Sequence, residues 1–187
     1  MSGITKLVLA GEGGQGVQSV AEIIAEAANE AGKQALYIPN FGVEQRGGVS
    51  LAFVQVSDSQ IGSPKFPTGD IVVALSERAV QTTQRYVGPG TVYIYESSAG
   101  VRTDDLPAKA ARVLPVPAIE VAKQELHPRV FNILIMGAIV GATKMISLDR
   151  IKKAVEKKLG YKFEKQPELR ELNFKALERG AALVGNA

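Results

Sequence analysis

A glycine-rich segment between a strand and a helix constrains this fold most. Gly11-Glu12-Gly13-Gly14-Gln15-Gly16 follows the apolar run Leu7 to Ala10, which is typical of a strand buried on both faces. Apolar residues then recur at helical spacing, and Gly32 is placed as the helix stop. Lys33 to Ile38 predicts a second strand. Together these residues favour a right-handed β-α-β unit with parallel strands.

Further strands and helices follow in alternation. Strands are predicted at Ile71 to Leu75, Thr91 to Tyr95 and Arg112 to Val116, and helices at Glu77 to Tyr86, Ala118 to Leu126 and Arg129 to Met145. Val49 to Val56 and Ile61 to Pro64, joined by a turn, predict an antiparallel hairpin inserted into this pattern. The prediction is therefore an α/β fold with three α/β/α layers, a mostly parallel sheet, an inserted β-hairpin and a helical C-terminal segment.

The C-terminal residues predict two more helices. Ser147 suits the N-cap of a helix that ends near Leu159 with Gly160 as its stop, and Pro167 stands near the start of the last helix. Gly137 and Gly141, four residues apart in the preceding helix, predict close helix packing. A chain of 187 residues predicts one domain, with an α/β core over residues 1–145 and C-terminal helices over residues 146–187.

Composition excludes several kinds of chemistry. The chain has no cysteine, so it can hold no disulfide, thiolate zinc site or cysteine-bound iron-sulfur cluster, and it has no cysteine nucleophile. Its only histidine, His127, precedes a proline and is interpreted as a helix-entry residue. Neither a catalytic residue nor a metal ligand is therefore predicted for this chain.

The sequence shows no targeting or membrane signal. The N-terminus lacks a secretory pattern, and the most apolar run, Val130 to Ala142, is shorter than the roughly 20 residues that span a bilayer. We therefore expect a cytoplasmic protein without a membrane or nucleic-acid partner. The formal net charge of +3 is uneven, because residues 144–187 carry 11 basic and 6 acidic side chains. Lysines there surround an apolar helical stripe, which indicates a solvated helix face or, alternatively, a face for an anionic partner.

The glycine segment can bind a phosphate, because glycines let the backbone approach an anion and a helix N-terminus presents free amides to it. A dinucleotide-binding fold would also need an acidic residue at the end of the second strand. That place reads Ile38-Pro39-Asn40, and the nearest carboxylate, Glu44, lies inside a long polar loop. A freestanding NAD-type oxidoreductase therefore stays an alternative without its main supporting residue.

Four motifs carry a family resemblance when they are taken in order. They are Gly13-Gly14-Gln15-Gly16-Val17, then Phe41-Gly42-Val43-Glu44-Gln45-Arg46-Gly47-Gly48, then Val56-Ser57-Asp58 with Ile61 and Ser63-Pro64, then Asp70-Ile71-Val72-Val73-Ala74-Leu75. Their order and spacing resemble the gamma subunit of 2-oxoacid:ferredoxin oxidoreductases, in the pyruvate ferredoxin/flavodoxin oxidoreductase catalytic-domain family. One departure is Phe41, where the family often has tyrosine.

The resemblance implies a hetero-oligomeric oxidoreductase that acts on the oxo group of a 2-oxoacid with an iron-sulfur protein as acceptor. In that family thiamine diphosphate decarboxylates the 2-oxoacid, iron-sulfur clusters pass electrons to ferredoxin, and coenzyme A accepts the acyl group. The implied partners are thiamine-binding alpha and beta subunits and an iron-sulfur delta-type subunit. This chain would hold neither thiamine nor clusters, and would contribute subunit packing and part of the coenzyme A site. Pyruvate, branched 2-oxoacids, 2-oxoglutarate and aryl pyruvates all stay open as substrates.

The candidate binding residues lie in three places. They are Gly11, Gly13, Gly14, Gln15 and Gly16 in the first motif, Glu44, Arg46, Gly47 and Gly48 in the second, and Asn132 in an apolar helix. The first motif is either a phosphate cradle, a subunit contact or only a tight turn. Arg46 can bind phosphate or a partner carboxylate, or it can pair with Glu44 to shape the loop. Asn132 can orient the glycine loop, face a ligand or be a satisfied core amide. A non-enzymatic nucleotide-binding interaction module, with the basic C-terminal segment as its binding face, is a third functional hypothesis.

Overall fold

The computed structural model describes residues 3–40 and 48–185, which form one sheet of six strands with helices on both faces. The strands are β1 (Thr5–Glu12), β2 (Gln34–Asn40), β3 (Val49–Ser57), β4 (Ile71–Ala74), β5 (Val92–Glu96) and β6 (Arg112–Val116). The helices are α1 (Val17–Glu30), α2 (Glu77–Thr83), α3 (Ala118–Glu125), α4 (Phe131–Thr143), α5 (Leu148–Phe163) and α6 (Glu168–Val184). Short 3-10 turns lie at Gln84–Tyr86, Thr103–Asp105 and Pro128–Val130.

The sheet is mixed, with the order β2-β3-β1-β4-β5-β6. β1, β4, β5 and β6 are parallel neighbours, whereas β3 runs antiparallel to both β1 and β2. The predicted α/β class and mostly parallel sheet are therefore confirmed. β1 and β2 do run in the same direction, but β3 lies between them, so they are not the adjacent pair that the β-α-β prediction implied.

The predicted hairpin partner of β3 is wrong. Ile61 to Pro64 forms no strand, and β3 is instead an interior strand between β2 and β1. Both faces of β3 carry buried apolar residues, Leu51 on one and Val54 on the other. This burial on both faces is typical of a strand in the interior of a sheet. The segment that follows contains prolines, which cannot donate to a ladder. It is held instead by a side chain, because Gln55 Nε2 donates to the carbonyl of Ser63 at 2.8 Å.

Two buried clusters give the three predicted layers. On one face, α1, α4, α5 and α6 contribute to a large apolar cluster with inward residues of the strands, such as Leu7 and Leu9 of β1. On the other face α2 packs against the alternate residues Val8 and Ala10. Phe53 extends this second cluster through edge-on ring contacts with Phe66 and Tyr86, at centroid distances of 5.7 and 5.3 Å. In the described residues, no helix combines the length and apolarity needed to cross a bilayer.

Helices α4 and α6 approach each other closely through glycine, which confirms the packing predicted from Gly137 and Gly141. A methyl side chain at Gly137 would overlap the carbonyl oxygen of Leu177. One at Gly141 would lie 2.8 Å from the Cα of Ala181. From the facing helix, a methyl at Gly180 would overlap the carbonyl oxygen of Leu134. Glycine on both helices therefore sets the distance between the two backbones.

The predicted helix boundaries are largely correct. Ser147 caps α5 by accepting a hydrogen bond from the Arg150 N–H, and Pro167 directly precedes α6. Gly32 has φ of 80° after α1, and the Lys33 N–H reaches the Ala28 carbonyl at 3.0 Å, which is a Schellman ending. The stop predicted at Gly160 is wrong. The helix continues to Phe163, whose ring is buried in the main core, so burial of this side chain outweighs the helix-breaking tendency of glycine.

Ion pairs join the basic helix α5 to its neighbours. Lys157 Nζ lies 2.7 Å from Glu26 and 2.8 Å from Glu30, and Lys158 Nζ lies 2.5 Å from Glu22, all three carboxylates belonging to α1. The hydrogen bonds that Lys157 donates to Glu26 and Glu30 raise its pKa, and the bond that Lys158 donates to Glu22 raises the pKa of Lys158. These pairs are solvated, so each contributes little to the stability of the fold. Part of the basic C-terminal charge is therefore balanced within the chain.

Burial of Tyr93 should make the free energy of unfolding fall in alkaline solution. Its ring is fully buried, and burial raises its pKa to about 12, although the hydrogen bond between its hydroxyl and Thr83 Oγ1 acts to lower it. Because the unfolded phenol ionises near pH 10 and the folded one near 12, this contribution is complete below pH 10 and is lost as pH rises to 12. We expect the wild-type free energy of unfolding to fall about 2 to 3 kcal/mol more than that of Tyr93→Phe over this range. Urea unfolding at several pH values measures the difference, and parallel curves for the two proteins would contradict the assignment.

Candidate functional site

The glycine loop connects β1 directly to α1. Gly14 and Gly16 have φ of 90° and 76°, in the left-handed region that costs other residues roughly 1 to 2 kcal/mol. Gly16 is the residue before the first turn of α1, and the Val20 N–H donates to its carbonyl at 3.0 Å. The sequence prediction of a tight strand-to-helix turn is therefore confirmed. Its role in binding stays a prediction.

Gln15 ties this loop to the sheet. Its Oε1 accepts from the Glu12 N–H at 2.6 Å, and its Nε2 donates to the Leu75 carbonyl, just beyond β4, at 2.9 Å. A methyl side chain at Gly11 would lie 2.6 Å from this Oε1. Gly11 is buried, so its observed contribution is the space it leaves for the Gln15 side chain. Gly11 and Gln15 therefore fix the position of the loop against the sheet.

Gly13, Gly14 and Gly16 form the outward part of the loop. Gly13 and Gly14 are exposed, and no side chain caps α1, because Gly16 has none to offer. The first turn of α1 also contains no acidic residue. The first N–H groups of a helix lack intrahelical partners, and the helix dipole adds partial positive charge there. This surface can therefore hold an anion such as a phosphate.

Asn132 lies beside Gly16 in the first turn of α4, not deep in an apolar helix. A methyl side chain at Gly16 would lie 2.9 Å from both Cβ and Nδ2 of Asn132. The Oδ1 of Asn132 accepts from the Ile133 N–H at 3.0 Å, and its Nδ2 donates to no residue that the structure describes. The residue is half-buried. This placement supports the interpretation that Asn132 shapes the loop or faces a ligand over that of a core amide.

The described residues on either side of the second motif, Asn40 and Gly48, lie at the ends of β2 and β3. Phe41 to Gly47 lie outside the described residues, and this includes the predicted site residues Glu44, Arg46 and Gly47. Gly48 is described, and it immediately precedes β3. In the ladder Val49 is opposite Glu12, so Gly48 lies where the glycine loop begins. The fold therefore brings the ends of both predicted motifs together.

Gln18 joins the first turn of α1 to the two strands that flank the second motif, a contact that the sequence analysis missed. Its Nε2 donates to Ser50 Oγ at 2.7 Å and to the Leu51 carbonyl at 2.9 Å. Its Oε1 accepts from the Tyr37 hydroxyl at 2.7 Å. Tyr37 and Ser50 belong to the two strands that flank the second motif, while Gln18 is in the first turn of α1. The sequence carried no signal for this contact, because Gln18 is one of several polar residues in α1.

One concave region borders the glycine loop, and a second lies on the far side of Asn132. A cleft of about 180 Å³ lies between Gly14, Gln15 and α3, with Lys123 in its lining. A larger cavity of about 740 Å³ begins at Ser19 and Asn132 and runs toward α5 and α6. His127 borders it and caps the following 3-10 turn, since its Nδ1 accepts from the Arg129 N–H at 3.1 Å. The helix-entry prediction for His127 is confirmed. Among the described residues no group of three or more His, Asp or Glu side chains could hold a metal ion.

The sequence of this chain matches those of a known protein family. Residues 6–183 match the family model of the pyruvate ferredoxin/flavodoxin oxidoreductases. The ketoisovalerate oxidoreductase subunit VorA of Methanothermobacter thermautotrophicus is 31% identical over 94% of this chain, which spans only 35% of VorA. Other relatives are named pyruvate synthase subunit PorC and 2-oxoglutarate synthase subunit KorC. The chain thus covers about a third of its longer relatives and most of the shorter ones.

Solved structures agree with the sequence match. The gamma subunit of a keto/oxoacid ferredoxin oxidoreductase from Geobacter sulfurreducens superposes with a TM-score of 0.84 at 29% identity, over 100% of this chain and 99% of that one. A 2-oxoglutarate:ferredoxin oxidoreductase from Magnetococcus marinus, solved with 2-oxoglutarate, coenzyme A and succinyl-CoA, gives a TM-score of 0.90 at 26% identity, over 100% of this chain and 32% of that one. With its glycine loop, its sheet order and these matches, the chain belongs to the pyruvate ferredoxin/flavodoxin oxidoreductase family.

Proposed function

We propose that this chain is the gamma subunit of a thiamine diphosphate-dependent 2-oxoacid:ferredoxin oxidoreductase, which converts a 2-oxoacid to acyl-CoA. One observation carries the proposal. The chain and a solved gamma subunit match over essentially the full length of both. Relatives named for ketoisovalerate, pyruvate and 2-oxoglutarate have similar identities to this chain, so the 2-oxoacid stays open.

The redox groups would be held by other subunits. The 187 residues contain no cysteine, and iron-sulfur clusters need cysteine thiolates. We therefore assign the clusters to a delta-type subunit and thiamine diphosphate to alpha and beta subunits, with ferredoxin as the electron acceptor. Bound thiamine diphosphate supplies the decarboxylation chemistry and the clusters supply the electron path. The cytoplasm is the proposed location of this complex.

This chain would contribute part of the coenzyme A site. The amides of Gly13, Gly14 and Gly16 would bind a phosphate of the coenzyme, while Gln15 and Gly11 hold the loop in shape. Asn132 Nδ2 is a further donor beside the same loop. Gly48, with Glu44, Arg46 and Gly47 in the adjoining segment, would approach the ligand from the second motif. The guanidinium of Arg46 suits a phosphate because it can donate two parallel hydrogen bonds.

The sheet order argues against the dinucleotide alternative. In NAD-binding folds the second strand lies directly beside the first, and its terminal carboxylate binds the ribose. Here β3 separates β2 from β1, so β2 is about 10 Å away instead of about 5 Å. β2 also ends at Asn40, which has no carboxylate. The ribose contact of an NAD site is therefore missing at its usual place.

A single domain fits both the match and the packing. The family model covers residues 6–183 without a break, and α5 and α6 contribute to the same main core as α1 and α4. We accordingly treat residues 1–187 as one gamma-type domain. The division at residue 145 separates elements of one core.

The proposal is tested by activity in the presence and absence of this chain. We expect a complex containing it to reduce ferredoxin when a 2-oxoacid and coenzyme A are both supplied. The isolated chain should be colourless and inactive, with no hydride transfer to or from a nicotinamide nucleotide. Oxidoreductase activity of the isolated chain with a nicotinamide nucleotide, or an unchanged rate from a complex that lacks this chain, would contradict the proposal.

A further inference from the structure

The cavity of about 740 Å³ lies between α1, the start of α4, the end of α5 and the start of α6. Its lining combines an apolar floor with a basic rim. The floor includes Ile23, Ile133, Leu159, Phe163, Leu169 and Leu172, and the rim includes Arg129, Lys158, Lys162 and Lys165. No carboxylate lines it among the residues that the structure describes. Its volume falls in the range of small-molecule sites.

Three of the rim cations are available to a ligand. Lys158 pairs with Glu22 at 2.5 Å, so its charge is already balanced. Arg129, Lys162 and Lys165 are exposed and make no ion pair with any described residue. Arg129 is in the turn before α4, Lys162 is near the end of α5 and Lys165 follows that helix, and all three border the same cavity. Such a cluster attracts an anion into the cavity.

The mouth of the cavity also presents an aromatic ring. Tyr161 has 58% of its surface exposed, and its neighbour Lys162 places Nζ 5.7 Å from the ring centre. Burying an aromatic side chain is favourable, so an exposed ring at the rim of an apolar cavity suits stacking against a second ring. A ligand that fits this cavity would therefore have a flat apolar group and several negative charges.

We propose that this cavity binds the nucleoside phosphate portion of a ligand, with the base on the apolar floor and against Tyr161, and the phosphates at Arg129, Lys162 and Lys165. Two sources share this chemistry. One is the nucleotide end of coenzyme A, extending from the glycine loop past Asn132, and this source rests on the proposed function. The other is a free nucleotide that binds independently of the coenzyme.

The test uses the full chain with ADP as the probe, in isothermal titration at constant ionic strength. We expect saturable binding, weakened about tenfold or more in the double variant Lys162→Ala and Lys165→Ala, because two charge-assisted contacts are removed. The matched control is Lys109→Ala with Lys153→Ala, which removes the same charge from exposed lysines outside the cavity. The control should bind ADP within about twofold of wild type. Tyr161→Leu should weaken ADP without changing the affinity for pyrophosphate.

Two results would overturn the inference. One is the absence of saturable ADP binding, and the other is equal weakening by both double variants, which would indicate nonspecific charge attraction. Competition in the assembled complex separates the sources. If ADP and coenzyme A exclude each other, the cavity takes the nucleotide end of the coenzyme, and if both bind together, it is an independent nucleotide site. ADP binding by the isolated chain does not depend on the glycine loop. If the glycine loop does not bind coenzyme A, ADP should therefore still bind in the cavity.

Discussion

Replacing Gly180 by alanine should lower the free energy of unfolding by about 3 kcal/mol, equivalent to a fall in Tm of about 6 to 12 °C for a chain of this size. The added methyl would overlap the Leu134 carbonyl oxygen and lie 3.0 Å from the Ala138 backbone nitrogen. Both atoms belong to the backbone of α4, so no side chain can rotate to make room. The two helices must separate, and their shared apolar contacts weaken.

Gly160→Ala is the matched control for this effect. Gly160 is also inside a helix, α5, but a methyl there would meet no atom within 4 Å. Alanine should therefore stabilise the protein by about 0.5 to 1 kcal/mol, through helix propensity alone. Thermal unfolding of the two variants beside wild type measures the contrast. Equal Tm values for the two variants would show that α4 and α6 do not pack through glycine.

Gln15→Glu should raise the KM for coenzyme A about 30-fold in the assembled enzyme, corresponding to about 2 kcal/mol. The substitution keeps the acceptor for the Glu12 N–H, but it removes the donor that binds the Leu75 carbonyl. A carboxylate would then face that carbonyl oxygen. It would also add negative charge beneath the amides that are proposed to bind phosphate. Both effects act against an anion in the loop.

The control variant is Gln34→Glu, which introduces the same charge at the other end of the sheet. Gln34 is exposed at the start of β2, and its side chain makes no bond to a described residue. Its KM for coenzyme A should stay within about twofold of wild type, because a charge so far away is screened. Steady-state kinetics with varied coenzyme A provide the comparison. If Gln15→Glu lowers only the Tm and leaves KM unchanged, the glycine loop is a packing feature and not a binding site.

Local patterns were sufficient for most elements of the fold. Apolar runs located β1, β4, β5 and β6, and capping residues such as Ser147 and Gly32 located helix ends. The position of β3 was not predictable in this way, because its partners are set by pairing between distant residues, and β1 could accept either β2 or β3 as a neighbour. The helix stop predicted at Gly160 was wrong for a similar reason. The burial of Phe163 is a tertiary effect that overrides a local helix stop.

The site was predictable in its residue types more than in its arrangement. Glycine at positions 14 and 16 predicted a loop that needs positive φ, and the structure has it. The sequence could not show that Asn132 touches Gly16, since 116 residues separate them in the chain. It also could not show that Gln18 links α1 to β2 and β3, because a single polar residue in a helix has many possible partners. Such contacts depend on the tertiary arrangement of the helices and strands, which local sequence patterns do not specify.

The gamma-subunit assignment is best tested by native mass spectrometry of this chain, gently affinity-purified under anaerobic conditions from its own cells. We expect it to co-purify with larger, cysteine-containing chains that carry the masses of thiamine diphosphate and iron-sulfur clusters. A homogeneous species of 19.9 kDa, or a homo-oligomer of it, carrying a nucleotide and no partner chain, would contradict the gamma-subunit assignment.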